Sequence, residues 1–175
     1  MATYKIDVMH SDVTFKVKHL MISSVSGSFS TFDATLNSEK DDLSDASIIF
    51  SADIASITTG NEQRDEHLKG EDFFDATKYP KLSFASTAFI KVGDSDYELA
   101  GNLTIKDVTK PVVFAVEYGG TMTDFYGQFK AGFDISGKIN RSEFGLTWSA
   151  ITEAGGIVVS DEIKLNLSIQ MIKQA

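Results

Sequence analysis

No cysteine occurs among the 175 residues of this chain. That excludes a disulfide framework, a thiolate nucleophile and a cysteine-based zinc site, and leaves the redox compartment unread. Proline is nearly missing as well; Pro80 and Pro111 each stand where a strand is expected to start, the position at which a lost N–H costs least. Apolar runs stop at about five residues, as in "VVFAV" at 112–116, far short of the ~20 that span a bilayer, so stable membrane insertion is not expected. Met1 leads directly into "ATYKIDVMHSD", without the basic start and apolar stretch of a secretory leader. The chain as it stands is therefore expected to be cytoplasmic, and periplasmic if a leader has been removed from it.

Positive charge is also scarce. Sixteen Lys and Arg face 25 Asp and Glu, for a formal net charge of −9 and an isoelectric point near 4.7. Nucleic acid and anionic membrane surfaces repel such a chain at long range. With three His and no H-E-x-x-H or close His/Asp set, no metal site is expected. Neither a G-x-S-x-G elbow nor a phosphate-cradling glycine loop occurs, and "YGGT" at 118–121 reads as an ordinary turn. The three Asn-x-Ser/Thr triplets, at Asn102, Asn140 and Asn166, are taken as chance occurrences.

What the chain does have is alternation. In "VTFKVKH", Val13, Phe15, Val17 and His19 share one face and Thr14, Lys16 and Lys18 the other, the pattern of a half-buried antiparallel strand. The same period recurs in Val25, Gly27 and Phe29; in Ile48, Phe50, Ala52 and Ile54; in Leu82 and Phe84; in Tyr97, Leu99, Gly101, Leu103 and Ile105; and in Val112, Phe114, Val116 and Tyr118. It returns in Phe125, Gly127, Phe129, Ala131, Phe133 and Ile135, and in Ile163, Leu165, Leu167, Ile169 and Met171. About eight long strands in one domain, 1–175, predict an all-β fold, either an antiparallel barrel or a sandwich. Large aromatics alternating with glycine and alanine on the inner face favour a barrel with a hollow, although glycines that merely permit curvature would give the same pattern.

One stretch, "TTGNEQRDEHLKGEDFFDATKYP" from Thr58 to Pro80, breaks the alternation. Thr59 and Glu62 are spaced as a capping box and Gly70 supplies a stop, which predicts a helix over 60–69. So short a helix must dock on something, and Leu68 with Phe73 and Phe74 forms the docking edge. Arg64, Asp65 and His67 do not converge on one face, which argues against a catalytic trio built from this helix alone. Outside it, His19 ends an inward-facing strand and needs a partner or water; it is read as a wall residue, a contact to a ligand's head group, or a haem ligand. Trp148 lies in a segment without clear period and is read as core before ligand platform.

Several blocks together carry a resemblance: "YKIDVMHSDVTFKVKHL", "VSGSFSTFDA", "ADIASITTGNEQRDEHLKGEDFFDATKYPKLSF", "GNLTIKDVTKPV", "INRSEFGL" and "VSDEIKLNLSIQM". Over nearly its whole length the chain resembles the YceI-like, polyisoprenoid-binding, lipocalin-like proteins, with Asp107 standing where a Gly is common. The resemblance implies an eight-stranded antiparallel β-barrel with a short helix closing one end, and an apolar cavity holding a polyprenyl phosphate, an isoprenoid quinone or a similar long lipid. It implies no catalytic activity and no cofactor other than that lipid. Cavity contacts are expected from Phe15, Val17, His19, Phe29, Phe50, Ile54, Leu68, Phe74, Phe84, Leu99, Leu103, Phe114, Phe129, Phe133, Trp148, Leu165 and Ile169. Head-group contacts are expected from Arg64, His67, Asn140 and Arg141. Lipocalin-like barrels with apolar mouths often pair, so a homodimer is expected. Two other functions stay open: a lipid-modifying enzyme with His19 or His67 as base, and a filled barrel whose acidic outside binds a partner.

Overall fold

A computed structural model describes residues 1–20, 22–148 and 159–175. Eleven strands, β1 (Ala2–Ile6), β2 (Asp12–His19), β3 (Ser23–Phe29), β4 (Phe32–Ser38), β5 (Ser47–Asp53), β6 (Ile57–Thr58), β7 (Lys81–Lys91), β8 (Asp96–Ile105), β9 (Val108–Thr123), β10 (Phe129–Asn140) and β11 (Val159–Lys173), form one antiparallel sheet. The one α-helix among the described residues is α1 (Glu62–Lys69).

Eight strand positions make the ring, because three of them are broken. β1 and β2 are halves of one position separated by a 3-10 turn at Val8–His10. β11 pairs with both, Met171–Lys173 against β1 and Val159–Ser168 against β2. β4 continues β3, since β4 pairs with β1 and β3 with β2. β5 and β6 likewise share a position, with a 3-10 turn at Ile54–Ser56 between them. The ring then runs through β7, β8, β9 and β10 back to β11, closing an eight-stranded antiparallel barrel. The break in the first position is tied down electrostatically. Asp7, beside the turn, accepts from Lys130 Nζ at 2.8 Å and meets His10 Nδ1 at 2.8 Å, and Lys130 also reaches Asp124 at 3.3 Å. One lysine thereby pins the kink to the base of the β9–β10 hairpin.

The strand alternation appears as expected on β2, β8, β9 and β11, and three irregularities break it elsewhere. A bulge between Ser86 and Ala88 shifts the β7 register, so Phe84 and Phe89, of opposite parity in sequence, both point inward and are buried. The sequence from Phe125 to Gly127, expected on a strand's inner face, is instead a hairpin turn. The Asp124 carboxylate accepts the N–H groups of Tyr126 and Gln128, both at 2.9 Å, and Gly127 takes the left-handed φ of 78° that the turn requires. Conversely "YGGT", expected as a turn, lies within β9 beside a register shift. Pro111, expected at a strand start, lies inside β9 opposite Asn102. β10 pairs with β9 only as far as Ala115, so this proline occupies a locally open edge, where its missing N–H breaks no ladder.

The hollow and the glycines have a single explanation. A Cβ on Gly27 would collide with the Phe15 ring, one on Gly101 with Phe84, and one on Gly137 with Phe114. None of the three glycines has a positive φ; each is there for room. Each ring occupies the space over bare backbone on the neighbouring strand, which draws it toward the wall and leaves room along the barrel axis. The far end is plugged by aromatics: Phe89 stacks on Tyr97 at 4.6 Å, Tyr97 meets Tyr118 at 6.1 Å, and Tyr118 stacks on Phe133 at 5.3 Å. Tyr4, Tyr97 and Leu43 are buried at that end, and burial raises the pKa of Tyr4 and Tyr118 above the ordinary phenol value.

Two outcomes follow for stability. Gly101→Ala presses its new methyl against the Ala85 carbonyl oxygen as well as the Phe84 ring, and backbone does not give as a side chain does. Chemical denaturation should show a loss of about 1–3 kcal/mol, the usual cost of overpacking. For Asp7, burial pushes the carboxyl up, but the hydrogen bonds and charges of Lys130 and His10 outweigh it, and its pKa falls below the ordinary value. A depressed folded-state pKa contributes stability that is present above the unfolded value and lost as pH falls through the folded one. Melting curves below about pH 4 should therefore show a steeper decline for the parent than for Asp7→Asn, which is less stable at pH 7.

Candidate functional site

The hollow is a cavity of about 400 Å³, within the usual range for small-molecule sites. Its walls are aliphatic and aromatic along most of their length. Polar side chains gather at one end, where β2 finishes, β11 begins, α1 crosses and the chain leaves β10.

The helix reaches the mouth by a cap other than the one its sequence suggests. Asn61, not Thr59, is the N-cap, its Oδ1 accepting the Arg64 N–H at 3.1 Å. Thr59 is thereby free for another task. Its hydroxyl donates to Asp65 Oδ1 at 2.6 Å and accepts from Arg64 Nε at 2.7 Å, while Arg64 Nη2 donates to the Thr59 carbonyl at 2.8 Å. Arg64, His67 and Leu68, spaced i, i+3 and i+4, present one face to the cavity. His67 meets Asp72 at 2.9 Å and packs edge-on against Phe73 at 5.1 Å and Trp148 at 4.8 Å. Helix and barrel are thus joined by an aromatic cluster that includes the only Trp of the chain.

Arg141 builds the opposite side of the mouth. It opens a 3-10 turn, Arg141–Phe144, that ends at Gly145 with φ 78°, and is only 6% exposed. Its guanidinium donates to four carbonyls: Leu146 at 2.7 Å, Trp148 at 2.6 Å, Ser160 at 3.0 Å and Val159 at 3.3 Å. These bonds fasten the strand leaving β10 to the start of β11. Burial lowers its pKa, with the charge of Asp161 opposing that shift.

Fifteen of the seventeen side chains expected at the cavity line it. They are Phe15, Val17 and His19 on β2; Phe29 on β3; Phe50 on β5; Leu68 and Phe74 at α1; Phe84 on β7; Leu99 and Leu103 on β8; Phe114 on β9; Phe133 on β10; Trp148; and Leu165 and Ile169 on β11. Ile54 does not, because the chain leaves the strand alternation at the 3-10 turn after β5; it is buried in the packed shell instead. Phe129 does not either. β8 begins opposite Glu117, so residues 118–123 of β9 pair with β10 alone, beyond the barrel's end. There Phe129 is 37% exposed, with Lys173 Nζ 5.7 Å from its ring centre.

Of the four expected head-group residues, Arg64, His67 and Arg141 meet at the mouth. Asn140 faces outward as the last residue of β10, exposed and opposite Glu162. The alternation turns Arg141 in and its neighbour out. The wall also contains residues not singled out from the sequence. Phe89 was hidden by the β7 bulge. Ala34 and Leu36 on β4 carry a readable signal, since Phe32, Ala34 and Leu36 alternate; Thr59 carried none, and Lys18, expected on the outer face of β2, borders the cavity at the rim, where β11 shifts register between Val159 and Ile163. Of the segment around Trp148 whose period is unclear, 149–158 lies outside the described residues.

The model of the YceI-like domain family matches residues 4–171. A UPF0312 protein of Staphylococcus epidermidis is 34% identical over 171 residues, covering 97% of both chains. The crystal structure of BcnA from Burkholderia cenocepacia superposes with a TM-score of 0.82 at 25% identity, over 94% of this chain and 98% of that one. A polyisoprenoid binding domain from Saccharophagus degradans, implicated in plant cell wall breakdown, shares the fold with a TM-score of 0.72 at 13% identity, covering 98% of each chain. A match spanning nearly every strand of the barrel, from β1 to β11, establishes that this chain belongs to the YceI-like domain family.

Proposed function

We propose that this protein binds the hydrocarbon tail of a long isoprenoid, a polyprenyl phosphate or isoprenoid quinone, or a similar lipid, in its barrel cavity, and stores or carries it without altering it. The observation that carries this reading is the division of the cavity: a wall dominated by aliphatic and aromatic side chains along the barrel, with the Arg, Lys and His residues of the lining all at one end. That division is the shape of an amphiphile. Each five-carbon isoprene unit buried there gains roughly 4 kcal/mol gross, at ~0.8 kcal/mol per CH2. Ordering the tail offsets much of that gain, so affinity does not simply follow length. A polyisoprenoid binding domain with the same fold is consistent with it.

The mouth is suited to recognition rather than bond-breaking. Arg141 is committed to four backbone carbonyls, and the Thr59 hydroxyl is held between Arg64 and Asp65. His67 and Asp72 do form an imidazole–carboxylate pair, but Asp72 is solvent-exposed and is not part of the cavity lining.

Organic extraction of the purified protein should release a long-chain lipid or quinone detectable by mass spectrometry. A protein that yields none, and fails to bind such lipids when they are offered, refutes the proposal. A graded check uses the glycine that houses Phe15. Gly27→Ala displaces only the end of that ring, which swings into the open cavity; lipid affinity should fall several-fold while the melting temperature changes little.

A further inference from the structure

The ends of the cavity differ in charge as well as polarity. Among the described residues, the lining includes Lys18, His19, Arg64, His67 and Arg141, and no Asp or Glu. In a chain with 25 carboxylates and 16 Lys and Arg this sorting is opposite to the overall composition. Three of the five are linked by contacts: His67 packs on Trp148, the Trp148 carbonyl accepts from Arg141, Arg141 reaches the Val159 carbonyl, and Val159 pairs with His19; Arg64 shares α1 with His67, and Lys18 precedes His19 on β2.

Among the described residues, the carboxylates that contact or adjoin these groups are outside the lining. Asp65 is held by Thr59, Asp72 meets His67, and Asp161 accepts the Ser142 N–H. No carboxylate among the described residues forms an ion pair with Arg64 or Arg141. Arg64 spends Nε and Nη2 on Thr59, and its Nη1 has no acceptor among the described residues. The long-range repulsion of an acidic protein fades over the ~8 Å screening length of physiological salt. At the mouth, beside apolar walls that strengthen electrostatic interactions, the local sign decides.

Resting on the lipid-binding reading above, we infer that the ligand's polar end is an anion, a phosphate or carboxylate, received by Arg64 and the basic groups around it, in preference to a neutral quinone or alcohol. A planar guanidinium with free N–H groups matches the oxygens of either anion.

Trp148, the only Trp in the chain, lies at this mouth and reports binding by its fluorescence. Delipidated protein is titrated with geranylgeranyl phosphate and geranylgeraniol, which share a tail, and with palmitate and hexadecanol, which share another. The phosphate should bind about tenfold more tightly than its alcohol, equivalent to about 1.4 kcal/mol. Palmitate outbinding hexadecanol identifies any anionic head as sufficient, whereas an advantage for the phosphate alone assigns the site to prenyl phosphates. Arg64→Gln should remove most of the preference for the anion over its alcohol. Lys18→Gln, exposed and free of side-chain hydrogen bonds among the described residues, should reduce the preference in part and serves if the Arg64 variant unseats α1. Alcohols binding as tightly as anions overturn the inference while leaving the lipid-binding reading intact, as does a preference untouched by both substitutions. If none of the four binds, both fall together.

Discussion

Everything in this molecule depends on β11 pairing with two partners. Its C-terminal end holds β1 and the rest holds β2, so one continuous strand splints a broken one and closes the sheet. Closure removes exposed edges and creates an inside. The break itself is stabilised at a distance, by Lys130 reaching from β10 to Asp7. A barrel of eight strands is just wide enough to be filled by side chains or to hold a ligand, and small differences in packing decide between the two.

Here the balance is set by phenylalanines lying over glycines. Gly27, Gly101 and Gly137 each make room for a ring from the adjacent strand, so bulky side chains that could have filled the axis are laid against the wall. The lower end is nevertheless closed by stacked aromatics. The upper end is roofed by a helix that buries no residue completely and is attached through Thr59 and through His67, Phe73 and Trp148. Among the described residues, the cavity thus has a packed floor at one end and a lightly attached roof at the other.

Much of the architecture was legible because alternation of period two survives wherever a strand is regular. β2, β8 and β11 could be read residue by residue, and with them most of the cavity wall. The failures have local causes. One extra residue in β7 reverses parity and conceals Phe89. The turn at Asp124–Gln128 resembles strand because Phe125 and Phe129 flank it, while Gly119–Gly120 imitates a turn inside β9. Thr59 and Glu62 have the spacing of a capping box, yet Asn61 takes that role because Thr59 is drawn to Arg64 and Asp65.

Which residues face inward, that the strands are antiparallel, and that the chain is of the YceI-like kind were determined by the sequence itself, since side-chain period and motif order are local properties. Which end is open, and which charges meet there, only the tertiary structure decided. Arg64, Arg141 and Lys18 come from a helix, a 3-10 turn and a strand far apart in the chain, and nothing in their spacing brings them together. Ring closure does so, by carrying β2, α1 and the end of β10 to one rim, whose lining among the described residues includes no carboxylate.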